Sequence, residues 1–102
     1  MASALKALSE AEIARRIPTL AGWKHTRGAI RRTFVFTNFV ESLRFVNKVG
    51  RMAEAANHHP DIDIRYAKVT LALSTHDVGG ISKKDFDLAA SIDARSGSLK
   101  RV

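Results

Sequence analysis

Between Ile30 and Phe36 the chain alternates with a period of two, and by Phe39 it has switched to helical spacing that persists to about Ala56 or Asn57. A strand must therefore feed almost directly into a long helix. In the strand, Ile30, Arg32, Phe34 and Phe36 share one face and Arg31, Thr33 and Val35 the other, so one face is largely apolar. Asn38 with Glu41 three residues on supplies the helix start, and His59-Pro60 the stop, because a residue before proline is pushed out of the helical region. The helix carries two apolar stripes: Phe39, Leu43, Val46, Gly50 and Ala53 form one, and Phe45, Val49, Met52 and Ala56 the other. A single sheet covers only one of them. We expect the Phe45 stripe to meet another subunit, giving a homodimer or homotetramer.

The remaining elements follow from the same two periods. Ser9-Glu10-Ala11-Glu12 has a capping-box spacing, so a short helix bearing Ile13, Ala14 and Ile17 is expected before Pro18. Ala21 to His25 reads as a short strand and Thr26-Arg27-Gly28 as the turn after it. Ile62, Ile64 and Tyr66, then Val69, Leu71 and Leu73, alternate with other residues and predict two strands with a bend near Ala67-Lys68. Gly79-Gly80 breaks the pattern, and Ser82-Lys83-Lys84-Asp85 starts a last helix that runs to about Arg95. The order α-β-β-α-β-β-α implies an α+β fold: a four-stranded antiparallel sheet with helices on one face. With 102 residues there is room for one domain, residues 1–102, whose ends at 1–8 and 96–102 are expected to fray.

Composition removes several chemistries. There is no cysteine, so thiol nucleophiles, disulfides and cysteine-bound metals are excluded together. No stretch is long and apolar enough to span a membrane, Lys6, Glu10 and Glu12 interrupt any secretory leader, and a cytoplasmic location is expected. The net charge of +7 lies wholly in residues 1–51, which hold ten Lys/Arg against three Asp/Glu, while residues 52–102 hold seven of each. Arg27, Arg31, Arg32, Arg44, Lys48 and Arg51 match no helix-turn-helix or aromatic platform, so we read them as a solvated face and do not expect nucleic-acid binding.

Three of the four histidines, His58, His59 and His76, lie in the neutral half with Glu54, Asn57, Tyr66, Asp77 and Asp85. Three imidazoles and a carboxylate could hold zinc. However, adjacent helical residues project about 100° apart, and there is no His-x-x-x-His pair, so metal is the weaker reading. Acid–base chemistry asks for less, since one imidazole can accept a proton near neutral pH while another donates one. That suits a dehydration. Asp85 has two readings: it completes the capping box begun by Ser82, and it lies with Leu88, Ala89 and Ile92 on the inward face, where it could orient a histidine. Asp93 borders the same face. Glu54 lies one turn before His58 and could reach it or meet solvent, and Trp23, beside Gly22, reads more naturally as core than as lid.

The spacing Glu54, three residues, His58-His59-Pro60, five residues, Tyr66, nine residues, His76, eight residues, Asp85 resembles the signature of the pterin-4a-carbinolamine dehydratase family. Gly22-Trp23, Phe36-x-Asn38-Phe39, Lys68-Val69, Leu73-Ser74-Thr75-His76 and Leu88-Ala89 extend the likeness across residues 9–94. The resemblance implies an enzyme that removes water from 4a-hydroxytetrahydrobiopterin to give quinonoid dihydropterin, in recycling of the tetrahydropterin used by an aromatic amino-acid hydroxylase. It implies no cofactor and no metal, catalysis by His58, His59 and His76 with Asp85, and pterin contacts from Trp23, Glu54, Asn57, Pro60, Ser74, Thr75 and Asp77 as well as the histidines. His58 and His76 are expected to move protons while His59 positions the substrate. Asn57 and Asp77 depart mildly from the acidic residue and glutamate found there in some members. The same resemblance implies dimers through sheet edges, tetramers through the long helix in some members, and an alternative role as a dimerisation cofactor of a transcription regulator through that helix.

Overall fold

The computed structural model describes residues 5–95. It contains α1 (Glu10–Arg16), β1 (Lys24–Thr26), β2 (Ala29–Val35), α2 (Phe39–Ala56), β3 (Asp61–Arg65), β4 (Lys68–Leu73) and α3 (Lys83–Arg95), in the expected order. Each helix start has the chemistry its sequence announces. Ser9 and Glu12 form a reciprocal capping box, and the Ser9 amide, then its hydroxyl, hold the Glu12 carboxyl below its ordinary pKa. Asn38 accepts the Glu41 amide at 2.9 Å. Most of the expected frayed ends, residues 1–4 and 96–102, fall outside the described residues; Leu8, inside them, donates its amide to Ile81 at 2.7 Å and packs on the core.

The strands pair antiparallel in the order β1-β2-β4-β3, so β2 and β3 run parallel with β4 between them. Arg27 and Gly28, both at positive φ, make the tight turn of the first hairpin, as a two-residue connection requires. In the second hairpin the turn centres on Tyr66-Ala67, with Tyr66 at φ 53, about one residue earlier than the alternation suggests. Ile30, Arg32 and Phe34 face Leu73, Leu71 and Val69 across the central pair. This face, with Phe45 and Val49 of α2 and Phe86, Leu88, Ala89 and Ile92 of α3, forms the core. On the opposite face the exposed Thr33 and Thr70 hydroxyls bond each other at 2.8 Å.

Along the first part of α2 the stripes are the reverse of the sequence expectation, while toward its end Ala53 is buried and Ala56 exposed, as expected. Phe45 and Val49 are fully buried, whereas Phe39, Val40 and Leu43 are exposed. The reason is aromatic packing: the Phe45 ring sits 4.5 Å from Phe34 and 5.1 Å from Phe36, centroid to centroid, a cluster in which each ring removes apolar surface worth about 2–3 kcal/mol. Helical spacing alone identifies both stripes but not which one meets those rings.

Arg32 stands on the core face among apolar residues and is made tolerable by a lock. Its guanidinium lies 4.5 Å from the Phe34 ring centroid and donates to the Ala21 carbonyl at 2.9 Å and to Asp93 at 3.0 Å. The Trp23 indole N–H donates to the same carboxylate at 3.0 Å. Gly22, at φ +89, lets the guanidinium in, since a Cβ there would fall 2.8 Å from Arg32 Nε. The lock joins β2, the segment before β1 and the last turns of α3. Asp93→Ala should lower the unfolding free energy by about 2–3 kcal/mol, and Asp93→Asn by less, in urea denaturation followed by Trp23 fluorescence. An unchanged midpoint in the alanine variant would show that the lock contributes nothing.

Candidate active site

At one end of the sheet, α2 finishes, β4 finishes and α3 begins. α2 is closed by Asn57 in the left-handed conformation (φ 50, ψ 45), with the His58 amide bonded back to the Ala53 carbonyl at 3.0 Å. Asparagine adopts this conformation more readily than other non-glycine residues, so Asn57 rather than Pro60 turns the chain. Because the helix is left at Asn57, the adjacent histidines part: His58 turns toward α3, and His59 toward the outer side of α2.

His58 Nε2 meets Asp85 Oδ1 at 2.5 Å, with Asp85 fully buried and the His58 side chain 10% exposed. The second carboxylate oxygen accepts the Ser82 amide at 2.9 Å and the Thr75 hydroxyl at 2.8 Å. Thr75 spends its one hydroxyl hydrogen on Asp85, so the 2.6 Å contact between Thr75 and Ser82 is donated by Ser82, whose oxygen in turn accepts the Lys84 amide at 3.2 Å. Both sequence readings of Asp85 therefore hold in one geometry: it caps α3 and it engages a histidine. A buried carboxylate with this many donors is a stable arrangement. Thr75 is held in turn by a short bridge to Gly80, its amide donating to the Gly80 carbonyl at 2.7 Å, which closes the tight turn beginning at His76.

These elements enclose a cleft of about 270 Å³ lined by Asn57, His58, His59, Ser74, Thr75, His76, Asp77 and Lys84. Seven of those eight were singled out in the sequence. Lys84 was not, although its place between Ser82 and Asp85 in the capping segment puts it at the mouth of the cleft. Glu54 contacts His59 Nε2 at 2.5 Å, a pair that is 78% and 56% exposed, and with Pro60 it lines a separate hollow beside Ile62. Trp23 is buried in the core on Asp93 and does not line the cleft. Tyr66 is exposed, and its carbonyl accepts the Ser42 hydroxyl at 2.8 Å near the start of α2, about 22 Å of helix rise from Asn57. His58 and His59 direct their Nε2 atoms to different carboxylates, and among the described residues no group of three or more His, Asp or Glu is placed to hold a metal ion.

A family model described as pterin 4 alpha carbinolamine dehydratase matches residues 6–95. A Roseiflexus castenholzii protein named for pterin-4-alpha-carbinolamine dehydratase is 56% identical over 86 residues, covering 84% of this chain and 92% of its own length. A solved Brucella melitensis structure, described as a transcriptional coactivator/pterin dehydratase, is similar at a TM-score of 0.83 and 31% identity over 87% of this chain and 97% of that one. A pterin dehydratase-like protein described as a RuBisCO assembly factor in the alpha-carboxysome shares the fold at a TM-score of 0.63 and 21% identity, over 76% of this chain and 92% of that one.

The two histidine–carboxylate pairs differ sharply in burial, and their removal should differ accordingly. Asp85→Ala strands the donors of His58, Thr75 and Ser82 and should cost about 3 kcal/mol or more. Glu54→Ala breaks an exposed pair and should change stability by less than about 0.5 kcal/mol. Chemical denaturation of both variants checks the contrast; similar losses would contradict it.

Proposed function

The chain belongs to the pterin 4 alpha carbinolamine dehydratase family and is by that membership a hydro-lyase acting on the carbinolamine; we propose that it dehydrates 4a-hydroxytetrahydrobiopterin to quinonoid dihydropterin by histidine acid–base catalysis without metal. The observation that carries this reading is that His58, His59 and His76 all line one cleft, with Asp85 behind His58. Asp85 Oδ1 engages His58 Nε2 at 2.5 Å, and in this reading Nδ1 is the ring nitrogen that takes a substrate proton. In the reaction a ring-nitrogen proton passes to one imidazole, the departing hydroxyl takes a proton from another, and water leaves. The protein ends with the same number of protons and needs only to redistribute them through solvent. In this reading His58 and His76 move protons, His59 positions the ring, and Asn57, Ser74, Thr75 and Asp77 supply polar contacts to its edge. A tetrahydropterin-recycling role beside an aromatic amino-acid hydroxylase, in the cytoplasm, belongs to the same proposal.

Freshly generated 4a-hydroxytetrahydrobiopterin should be dehydrated faster with the protein than without, and equally fast after treatment with a chelator. His58→Ala and His76→Ala should each lower kcat/KM by about 10²-fold, with a smaller loss for His59→Ala. No acceleration would end the enzyme reading, loss on chelation would end the metal-free one, and His59→Ala as the worst variant would reverse the roles.

The exposed residues Phe39 (44%), Val40 (54%) and Leu43 (39%) of α2 and Ile62 (38%) of the edge strand β3 support self-association as a homodimer or homotetramer. Phe45 and Val49 of the stripe that sequence assigned to a partner are core; the exposed residues at the start of α2 take its place in the proposal. Light scattering should give an oligomer for the unmodified chain and a smaller mass for Leu43→Glu, which adds charge to the patch without touching the core. A monomeric unmodified chain would remove the homo-oligomer reading and leave the face to a different protein, as a coactivator role would require.

A further inference from the structure

His58 and Lys84 line a second space as well, a groove of about 710 Å³ between α2 and α3 that adjoins the cleft. The cleft lies just below the usual span of small-molecule pockets, about 300–1,000 Å³, and the groove that shares two of its wall residues is the neighbouring space for a substituent of a ring lodged in it. The groove is partly apolar, with Met52, Ala56 and Leu88 among its walls, but its charge is one-sided. Lys48 and Arg51 come from α2, and Lys84 and Arg95 from α3. The one carboxylate in its lining, Asp87, is paired with Lys83 at 2.7 Å. Lys48 donates to the Arg95 carbonyl at 3.0 Å, which satisfies a helix-end oxygen and leaves the ammonium charge in place beside the groove.

Four cations on converging helices, facing a part-apolar groove with its carboxylate already engaged, favour an anion more than separate surface charges would. We propose that this groove is a subsite for an anionic side chain on the pterin substrate, a phosphate ester or a carboxylate-bearing tail. The inference rests on the dehydratase reading for the placement of the ring and adds the class of substituent selected. The ring is neutral and is gripped in the cleft; the tail supplies the charge that the four cations meet. A phosphate would be matched best by the guanidinium of Arg51 or Arg95, which can present two parallel N–H donors.

Calorimetric titration with stable oxidised pterins tests this directly. Neopterin monophosphate should bind at least tenfold more tightly than neopterin at low ionic strength, and the advantage should shrink as salt is added. A pterin with a glutamate tail identifies the alternative source: an advantage for it and none for the phosphate would assign the groove to carboxylates. In the Arg51→Gln, Arg95→Gln double variant, both of whose substitutions are at exposed positions, the ratio of anionic to neutral affinity should fall by about tenfold. Equal affinities for neopterin and both anionic pterins, or an advantage that survives the double substitution, would overturn the subsite. Failure of the dehydratase reading looks different: neither neopterin nor its phosphate binds, and the neutral carbinolamine is not dehydrated.

Discussion

The carboxylate of Asp85 joins three segments at one buried point. One oxygen holds the histidine just past the end of α2; the other holds Thr75 at the end of β4 and the amide at the start of α3. Full burial makes the arrangement exacting, because an ionised carboxylate in a low-dielectric interior is tolerable only while its donors stay in place. Moving any one of the three segments would leave a buried charge short of a partner. The cleft therefore inherits its geometry from a bond that lies behind it, and His58 is held by the same contact that caps a helix.

A second lock acts at the other end of α3. Asp93 binds Arg32 and Trp23 eight residues after Asp85, about 12 Å along the helix. Between these points Phe86, Leu88, Ala89 and Ile92 pack into the core. α3 is thus fixed at both ends by carboxylates that face inward and along its middle by apolar contact. α2 is fixed differently, by the Phe45 ring against Phe34 and Phe36 at one end and the Asn57 turn at the other. The two helices are tied to each other at the His58–Asp85 contact and by the Lys48 bond to the Arg95 carbonyl, and the groove lies between them with His58 in its wall and in that of the cleft.

Local signals in the sequence carried far. The capping boxes, the change of period after Phe36 and the Ser82-to-Asp85 spacing predict element order and even the two-way role of Asp85, because each depends on residues only a few positions apart. The stripe that α2 buries was not legible, since the choice rests on Phe34 and Phe36 arriving from another strand. Trp23 illustrates the same limit from the opposite side. Its place beside a glycine favours core over lid, while the family likeness puts it against the pterin; the bond to Asp93, seventy residues away, holds it in the core. Tyr66 matches a family spacing yet lies at the far end of α2, where its backbone rather than its ring is used, by Ser42. Sequence spacing records that a residue type recurs, not which of its atoms is needed.

Charge shows how a correct count can still divide a molecule along the wrong line. The first 51 residues do hold the whole net excess and the rest do balance. Division at that point nevertheless runs through α2 itself, separating Lys48 and Arg51 from His58, and sets both apart from α3. In the fold, α2 and α3 lie side by side, so cations of the basic half face Lys84 and Arg95 of the neutral half across one groove. Of the acidic residues that balance the second half only Asp87 lines this groove, and it pairs with Lys83; Asp85 and Asp93 point into the protein, and Asp63 pairs with Arg65 on β3. A neutral half can therefore contribute a positive surface, because Asp85 and Asp93 are turned inward and Asp87 is paired with Lys83, while Lys84 and Arg95 line the groove.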